Sequence, residues 1–508
     1  MHTEARSGPT ATETTAPGAG FNPADALASI DRRLRPVDFV VMAVLLAGVG
    51  AGAVAYVAQL RNGLAVTGMS DIFSWGVYVV NFVFFIGVSM AGTLISAVLR
   101  LTNAQWRRPI TRLAEAITVF SLLIAGPMII IDMGRPDRFL YVLLHARVQS
   151  PIIWDVLSLT TYLAGSILYL YVPMLPDLAF LRDRPGTAGW RRRLYAVLAL
   201  GWRGNMAQRR SLERGVAVLA IVIIPVAISI HTVTAWLFGM TLRPGWHSTI
   251  IGPDFVIGAL YSGMAGVITA MAVFRQGCRL HAFITVEHFR RLGLLMLVFG
   301  LIYGYFMVNE YLGAGYIGER SENRHVWEIM RGRYAGPFWS MVVIGLVLPL
   351  SILLAPRLRQ IGWIVAASVL VNIGMWIKRW IIIVPTLANP FMPPLEAKQL
   401  VYTPTWVEWC ITLGAFSTFA LLYLGFARLF PIVSLWEMAE TAHAPAAPAV
   451  PALETAPAVS RSARAATAVP VILAALVLAA DARAQTPPTP TPPPPPPAAA
   501  PPAAPPAP

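Results

Sequence analysis

The run from Ile72 to Leu99, IFSWGVYVVNFVFFIGVSMAGTLISAVL, holds 28 residues without one Asp, Glu, Lys or Arg, and Asp71 and Arg100 bracket it. A helix of that length extends about 42 Å at 1.5 Å per residue, whereas the hydrocarbon core of a bilayer is about 30 Å thick. Inside lipid every backbone N–H and C=O must be satisfied within the segment, which selects a helix over an isolated strand. The run therefore reads as a membrane-spanning helix, and the same ruler finds nine more. The ten lie near 37–58, 72–99, 113–131, 152–173, 213–239, 250–274, 292–314, 336–355, 361–384 and 405–430. The fold class is all-α, a polytopic membrane protein.

Composition excludes the alternatives. Of 508 residues, 56% are hydrophobic and 13% charged, against roughly 25% charged in a soluble domain. Mean hydropathy is +0.62. So little charge cannot clothe the surfaces of a cytosolic enzyme of this size. The two cysteines, Cys278 and Cys410, form no C-x-x-C. Covalent c-type haem is thereby excluded, and an iron–sulfur cluster held by this chain would lack its thiolates.

The net charge of +14 is carried almost wholly by arginine, since lysine occurs only at Lys378 and Lys398. The arginines gather in alternate connections: around Arg32–Arg35, Arg100–Arg112, Arg182–Arg210, Arg275–Arg291 and Arg357–Arg359. The intervening connections are poorer in positive charge. By the positive-inside rule the N-terminus, the C-terminus and the 174–211 loop are cytoplasmic, an N-in/C-in topology. The excess charge is thus a topology signal and gives no reason to expect a nucleic-acid partner.

Residues 1–35 are polar, carry no signal-like apolar run, and read as a disordered cytoplasmic arm. Residues 36–240 carry helices one to five and residues 241–440 helices six to ten. The stretch 441–508 is an Ala/Pro-rich low-complexity tail with a short apolar segment at 468–480, about 20 Å as a helix and so too short to span.

Ionisable residues within spans are rare and mark function by default. With topology assigned, nearly all fall in the outer third. Asp71 opens the second span, followed by Trp75, Tyr78, Asn81 and Phe85 at steps of three or four, a single helix stripe. Asp132 ends the third span and Asp155 begins the fourth. His231 lies near the outer end of the fifth, and His247 and Asp254 begin the sixth. Glu310 lies near the outer end of the seventh, Lys378 and Arg379 near that of the ninth, and Glu408 opens the tenth. Glu115 is the main inner-half exception.

Only His231 among the eight histidines sits well inside a span, so paired axial ligands for b-type haem are missing. An outer cluster of carboxylates, histidine, tyrosine and tryptophan suits a quinone. Its two carbonyls need donors, its ring stacks on aromatics, and its two-electron chemistry needs two protons. The same pocket also suits a transported solute. The alternative is then a secondary transporter or proton-translocating membrane protein, with Asp254, Glu310, Lys378 and Arg379 as the expected proton path. A third alternative is a passive anchor whose ionisable groups are structural.

Four segments carry a resemblance. Asp132-Met-Gly-Arg-Pro-Asp-Arg138 is followed by Ser150-Pro-Ile-Ile-Trp-Asp155. Ala227-Ile-Ser-Ile-His-Thr-Val-Thr-Ala-Trp236 is followed by Pro244-Gly-Trp-His-Ser-Thr249. Val371-Asn-Ile-Gly-Met-Trp-Ile-Lys-Arg379 and Tyr402-Thr-Pro-Thr-Trp-Val-Glu-Trp409 complete the set. In this order they resemble the NrfD/PsrC family, the polysulfide reductase-type quinone-interacting membrane subunits, over roughly residues 35–440. Ten spans are similar to its larger members, those of sulfur-metabolism complexes and alternative complex III.

The resemblance implies two four-helix bundles plus peripheral helices, residence in a bacterial inner membrane, and a quinone site near the outer face. It implies menaquinone or ubiquinone as substrate, with no haem or iron–sulfur cluster in this chain. The implied partner is an outer-face iron–sulfur (ferredoxin-like) subunit, beside a multihaem cytochrome c or molybdopterin subunit. Carried over, Asp132, Asp155 and His231 are the catalytic candidates. Arg135, also carried over, is a quinone-binding candidate, and Trp75, Tyr78, Asn81 and His247 of the outer cluster itself complete the quinone-binding set. Met90 stands where some branches place a histidine near the quinone, which leaves His231 as the better candidate. Independently of any family, Gly134-Arg135-Pro136 reads as a helix stop.

Overall fold

The computed structural model describes residues 27–32, 34–391 and 401–443. The greater part of the N-terminal arm, Lys398 and the tail with its 468–480 run lie outside the described residues.

Among the described residues ten helices are long and apolar enough to cross a membrane. They are α1 (Pro36–Val66), α2 (Val77–Leu101), α3 (Gln105–Asp132), α4 (Pro151–Asp183), α5 (Met206–Gly239), α6 (Ile251–Gly277), α7 (Val286–Ile317), α8 (Ala335–Leu354), α9 (Ile361–Leu387) and α10 (Trp406–Leu429). No strand occurs among the described residues. Helices α2–α5 pack as one four-helix bundle and α6–α9 as a second. The bundles meet where α2 lies against α6 and α9 and α5 lies against α6, while α1 and α10 pair beside the first bundle.

Helix α2 is the hub. Its apolar window is 88% buried, whereas that of α1, equally apolar, is 17% buried. A helix apolar all round belongs in a core or in lipid, and here α2 takes the core and α1 the lipid. Helices α1 and α10 approach through small residues. A Cβ on Gly52 would stand 2.9 Å from Gly414 Cα, the close backbone contact that drives packing where lipid offers no hydrophobic gain.

Several helices outrun the apolar windows because their first or last turns are polar. Helix α3 begins at Gln105 and α5 at Met206, eight and seven residues before the expected starts at 113 and 213. The arginines of these extra turns are not all solvated. Arg112 pairs with Asp177 at 2.7 Å, both side chains 2% exposed. Arg100 and Arg107 both reach Glu437 in the helix Leu435–His443. The Asp177 carboxylate also accepts the Leu435 and Trp436 amides at 3.0 and 3.1 Å, which pins that helix to the first bundle.

Helix α5 runs through Pro225 without interruption. Two helices contain π-helical turns, Thr93–Val98 in α2 and Val343–Val347 in α8. Such turns are frequent at functional sites.

Candidate functional site

The arginine-poor end of the first bundle is closed by the chain between α1 and α2. Glu408 at the start of α10 accepts the Gly68 amide at 2.7 Å, the Thr405 amide at 2.9 Å and the Tyr402 hydroxyl at 2.5 Å. The Tyr402 oxygen in turn accepts the Val77 amide at 2.9 Å. Burial and the adjoining Glu408 push the Tyr402 phenol up, so it stays a donor. Glu408 is therefore a pin for the closing loop. Its fully engaged carboxylate is not free for substrate.

Asp132 differs. Its Oδ1 is buried with no hydrogen-bond partner among the described residues. The Gly76 amide points at the carboxyl, and Glu408 lies within Coulombic reach. Beside it Tyr78 donates to Gln59 Oε1 at 2.7 Å, and Gln59 Nε2 donates to Ile131 O at 2.9 Å. One turn deeper, Asn81 donates to Thr412 Oγ1 at 2.8 Å and accepts from Trp376 Nε1 at 3.0 Å.

The expected stripe on α2 is only partly one face. Gly76 precedes the helix in extended backbone (φ −130°, ψ −147°), so α2 starts at Val77. The Trp75 ring consequently turns the other way, against Phe238 and Trp246, with centroids 5.4 and 5.6 Å away.

A second group lies between α4, α5 and α2. Thr234 donates to Asp155 Oδ1 at 2.6 Å. One turn along α5, His231 Nδ1 meets Ala227 O at 2.6 Å and Nε2 meets Ile86 O at 3.1 Å. Both partners are carbonyl acceptors, and only a doubly protonated imidazole satisfies both. His231 so placed staples α5 to α2 and turns neither nitrogen toward an axial-ligand position.

Arg135 is not brought into either group. Helix α3 stops at Asp132 as expected, Gly134 takes a left-handed φ of +66°, and the chain turns outward. Arg135 is 60% exposed and bidentate with Asp137, and each holds the other's charged form. His247 is also at the rim, 42% exposed, with Nε2 3.4 Å from Glu322.

In the second bundle Lys378, wholly buried, donates to Glu310 at 2.8 Å and lies 5.1 Å over the Tyr311 ring. Nearby, Asp254 Oδ1, Tyr303 Oη and Arg379 Nη1 are buried without partners among the described residues. Arg379 lies 5.1 Å over Phe255 and close to Gly87 of α2 and Gly258 of α6, at the seam between the bundles. Asp254, Glu310, Tyr311 and His325 share a cavity of about 20 Å³, room for one water molecule.

His325 was not among the expected residues because it lies in a polar connection. The helix Arg320–Met330 buries Glu322, His325, Val326 and Ile329, a spacing of three, four and seven that marks one helical face. That spacing was the available signal. Burial, with Lys378 nearby, lowers the His325 pKa to about 4. The folded state therefore binds this proton less readily than the unfolded chain. His325 contributes stability above about pH 6.5 and loses it as pH falls toward 4, a span worth on the order of 3 kcal/mol. His325→Leu is expected to flatten the melting temperature between pH 6.5 and 4.5. A slope identical to the parent's would contradict the burial of a neutral ring.

Among the described residues no three His, Cys, Asp or Glu side chains converge as a metal site. A wider cavity of about 520 Å³ lies at the arginine-rich end, lined by residues including Phe180, Trp202 and Trp436, away from the groups above.

Similarity to known proteins points in one direction. The family profile described as "Polysulphide reductase, NrfD" matches residues 65–390. The chain is 29% identical over 416 residues to a putative membrane subunit of the dimethyl sulfoxide reductase of Halobacterium salinarum, covering 77% of this chain and 90% of that protein. It is 25% identical to a selenate reductase subunit of Mesobacillus selenatarsenatis, covering 77% and 94%. It is 24% identical to the Hdr-like menaquinol oxidoreductase integral membrane subunit of Archaeoglobus fulgidus, covering 78% and 94%.

Proposed function

The chain belongs to the NrfD polysulphide reductase family, and from that premise we propose that it is the quinone-reactive membrane subunit of a multi-subunit oxidoreductase complex. In this reading it exchanges electrons between the membrane quinone pool and an iron–sulfur or cytochrome partner docked at the arginine-poor, outer face of a bacterial inner membrane. The relatives named for menaquinol oxidation and for selenate and dimethyl sulfoxide reduction support a redox complex. The observation that carries the site is Asp132, a carboxyl with a buried, unengaged oxygen beside the Tyr78 phenol, at the edge of lipid-facing α1.

Asp132 is the proton acceptor or donor for the quinone oxygens, and Asp155 with His231 is the proton reserve behind it. Trp75, Tyr78 and Asn81 shape the walls. Arg135 and His247 lie at the rim, outside both groups. In the purified complex a hydroxyquinoline N-oxide quinone analogue is expected to quench tryptophan fluorescence saturably through Trp75 and Trp246. Absence of saturable quenching together with unchanged turnover in its presence would contradict the assignment.

A second reading, proton or ion movement through the second bundle by Asp254, Glu310, Lys378 and Arg379, is favoured by the cavity and the unpartnered atoms there. The unbroken course of α5 through Pro225 speaks against paired broken helices of the transporter kind.

A further inference from the structure

The cavity of about 520 Å³ at the arginine-rich end is remote from every group assigned to the quinone. It lies between the end of α4, the start of α5 and the helix Leu435–His443. Its depth in the membrane follows from the two spans that border it. From Val156 to Pro176 α4 carries no Asp, Glu, Lys or Arg, and from Gly215 to Gly239 α5 carries none. As helices those runs extend roughly 30–40 Å, enough to cross a hydrocarbon core of about 30 Å. Phe180, just past the first run, and Arg209 and Glu213, just before the second, therefore stand at the level of the lipid headgroups.

The aromatic walls are held from behind. Trp436 Nε1 donates to Pro173 O at 2.8 Å, and the Trp436 amide donates to Asp177 at 3.1 Å. Trp202, in the connection before α5, has its carbonyl taken by Arg182 at 3.3 Å. Phe180, 47% exposed, adds a third ring to the lining. Three charged side chains share the same space: Arg209, Glu213 and Glu440. Arg209 and Glu213 are four residues apart and so lie on one face of α5. None of the three side chains makes a hydrogen bond or ion pair among the described residues. Glu440 is within Coulombic reach of Arg108, Glu213, Glu437 and Arg209. Asp177, also on the lining, is already paired with Arg112.

One guanidinium and two carboxylates beside indole rings are therefore left unengaged. A phosphate suits the guanidinium, which can meet it with two parallel N–H bonds. A primary ammonium suits the carboxylates by charge and the indole faces by cation–π attraction. An anionic headgroup without an amine would set its phosphate beside both carboxylates with no cation to offset them. We propose that this cavity binds the headgroup of an amine-bearing phospholipid of the phosphatidylethanolamine class. Its phosphate meets Arg209, its ammonium lies among Glu213, Glu440 and the indoles, and its chains leave past Phe180 into the bilayer. Headgroup depth selects the lipid over soluble phosphoethanolamine, which carries the same two charges. A lipid so held ties the helix Leu435–His443 to α4 and α5. The proposal is independent of the quinone reading.

The test is native mass spectrometry of the intact complex, delipidated in detergent. The complex is titrated with short-chain phosphatidylethanolamine, short-chain phosphatidylglycerol or soluble phosphoethanolamine. Phosphatidylethanolamine is expected to bind saturably, at least about tenfold more tightly than either alternative. Arg209→Gln is expected to weaken both phospholipids about tenfold or more, the loss of a hydrogen-bonded charge. Glu213→Gln combined with Glu440→Gln is expected to erase the preference for phosphatidylethanolamine over phosphatidylglycerol, a change of selectivity that a packing role would not produce. All three positions are exposed, so lipid-free melting of the variants is expected to match the parent. Equal affinity of the parent for the two phospholipids would overturn the site. Displacement of the lipid by equimolar phosphoethanolamine, or parental selectivity in the double variant, would do so as well.

Discussion

Lys378→Met is expected to destabilise the protein by about 3–5 kcal/mol, the cost of leaving a buried charge without its partner. Lys378 is fully buried and its ammonium sits 2.8 Å from Glu310. Asp254 lies within Coulombic reach of Lys378 and has an oxygen without a hydrogen-bond partner among the described residues. Removing the cation leaves the Glu310 carboxylate, 22% exposed, and the buried Asp254 within Coulombic reach of one another, with Arg379 the remaining cation of the cluster, whereas a neutral thioether fills the same space. The measurement is the denaturant midpoint in detergent, followed by circular dichroism. Glu310→Gln added to Lys378→Met is expected to recover a large part of the loss, because pairs in contact are non-additive. A loss below about 1 kcal/mol for the single variant would place the pair among weak surface bridges instead.

Asp132→Asn is expected to lower quinone turnover about 100-fold or more, the range for loss of a positioned general acid or base. The amide matches the carboxylate in shape, and Oδ1 makes no hydrogen bond among the described residues. Folding and partner assembly are therefore expected to survive. Arg135→Gln, three residues along, is expected to stay within about twofold, because its guanidinium is exposed and paired with Asp137. This contrast within one motif separates chemistry from turn formation. Turnover of Asp132→Asn within about threefold of the parent, measured on intact complex, would remove Asp132 from the reaction.

The spans were legible because each is a long run whose residues tolerate lipid or a helical core, and the charge-free run at 72–99 became the most buried helix. Helix ends were less so, since Arg100, Arg107 and Arg112 read as solvated loop cations yet fold back onto Glu437 and Asp177. Those partners lie far along the chain, and no local pattern announces them.

For the site, the sequence placed most of the ionisable groups toward the arginine-poor ends of their helices but not their company. That Asp155 meets Thr234, and that His231 bonds to the Ile86 carbonyl, depends on how α4, α5 and α2 pack. Trp75 left its stripe because one glycine delays the helix. Arg135 left the cluster because a left-handed glycine turns the chain outward.

The central claim is the location of the quinone, and photo-crosslinking with an azido-quinone in the intact complex tests it most directly. Labelled peptides are predicted from the arginine-poor ends of α1, α2 and α3, around Gln59, Trp75–Asn81 and Asp132, with labelling lost under excess unlabelled quinone. Competable labelling confined to the second bundle, or to the arginine-rich end around Trp202 and Trp436, would contradict the account.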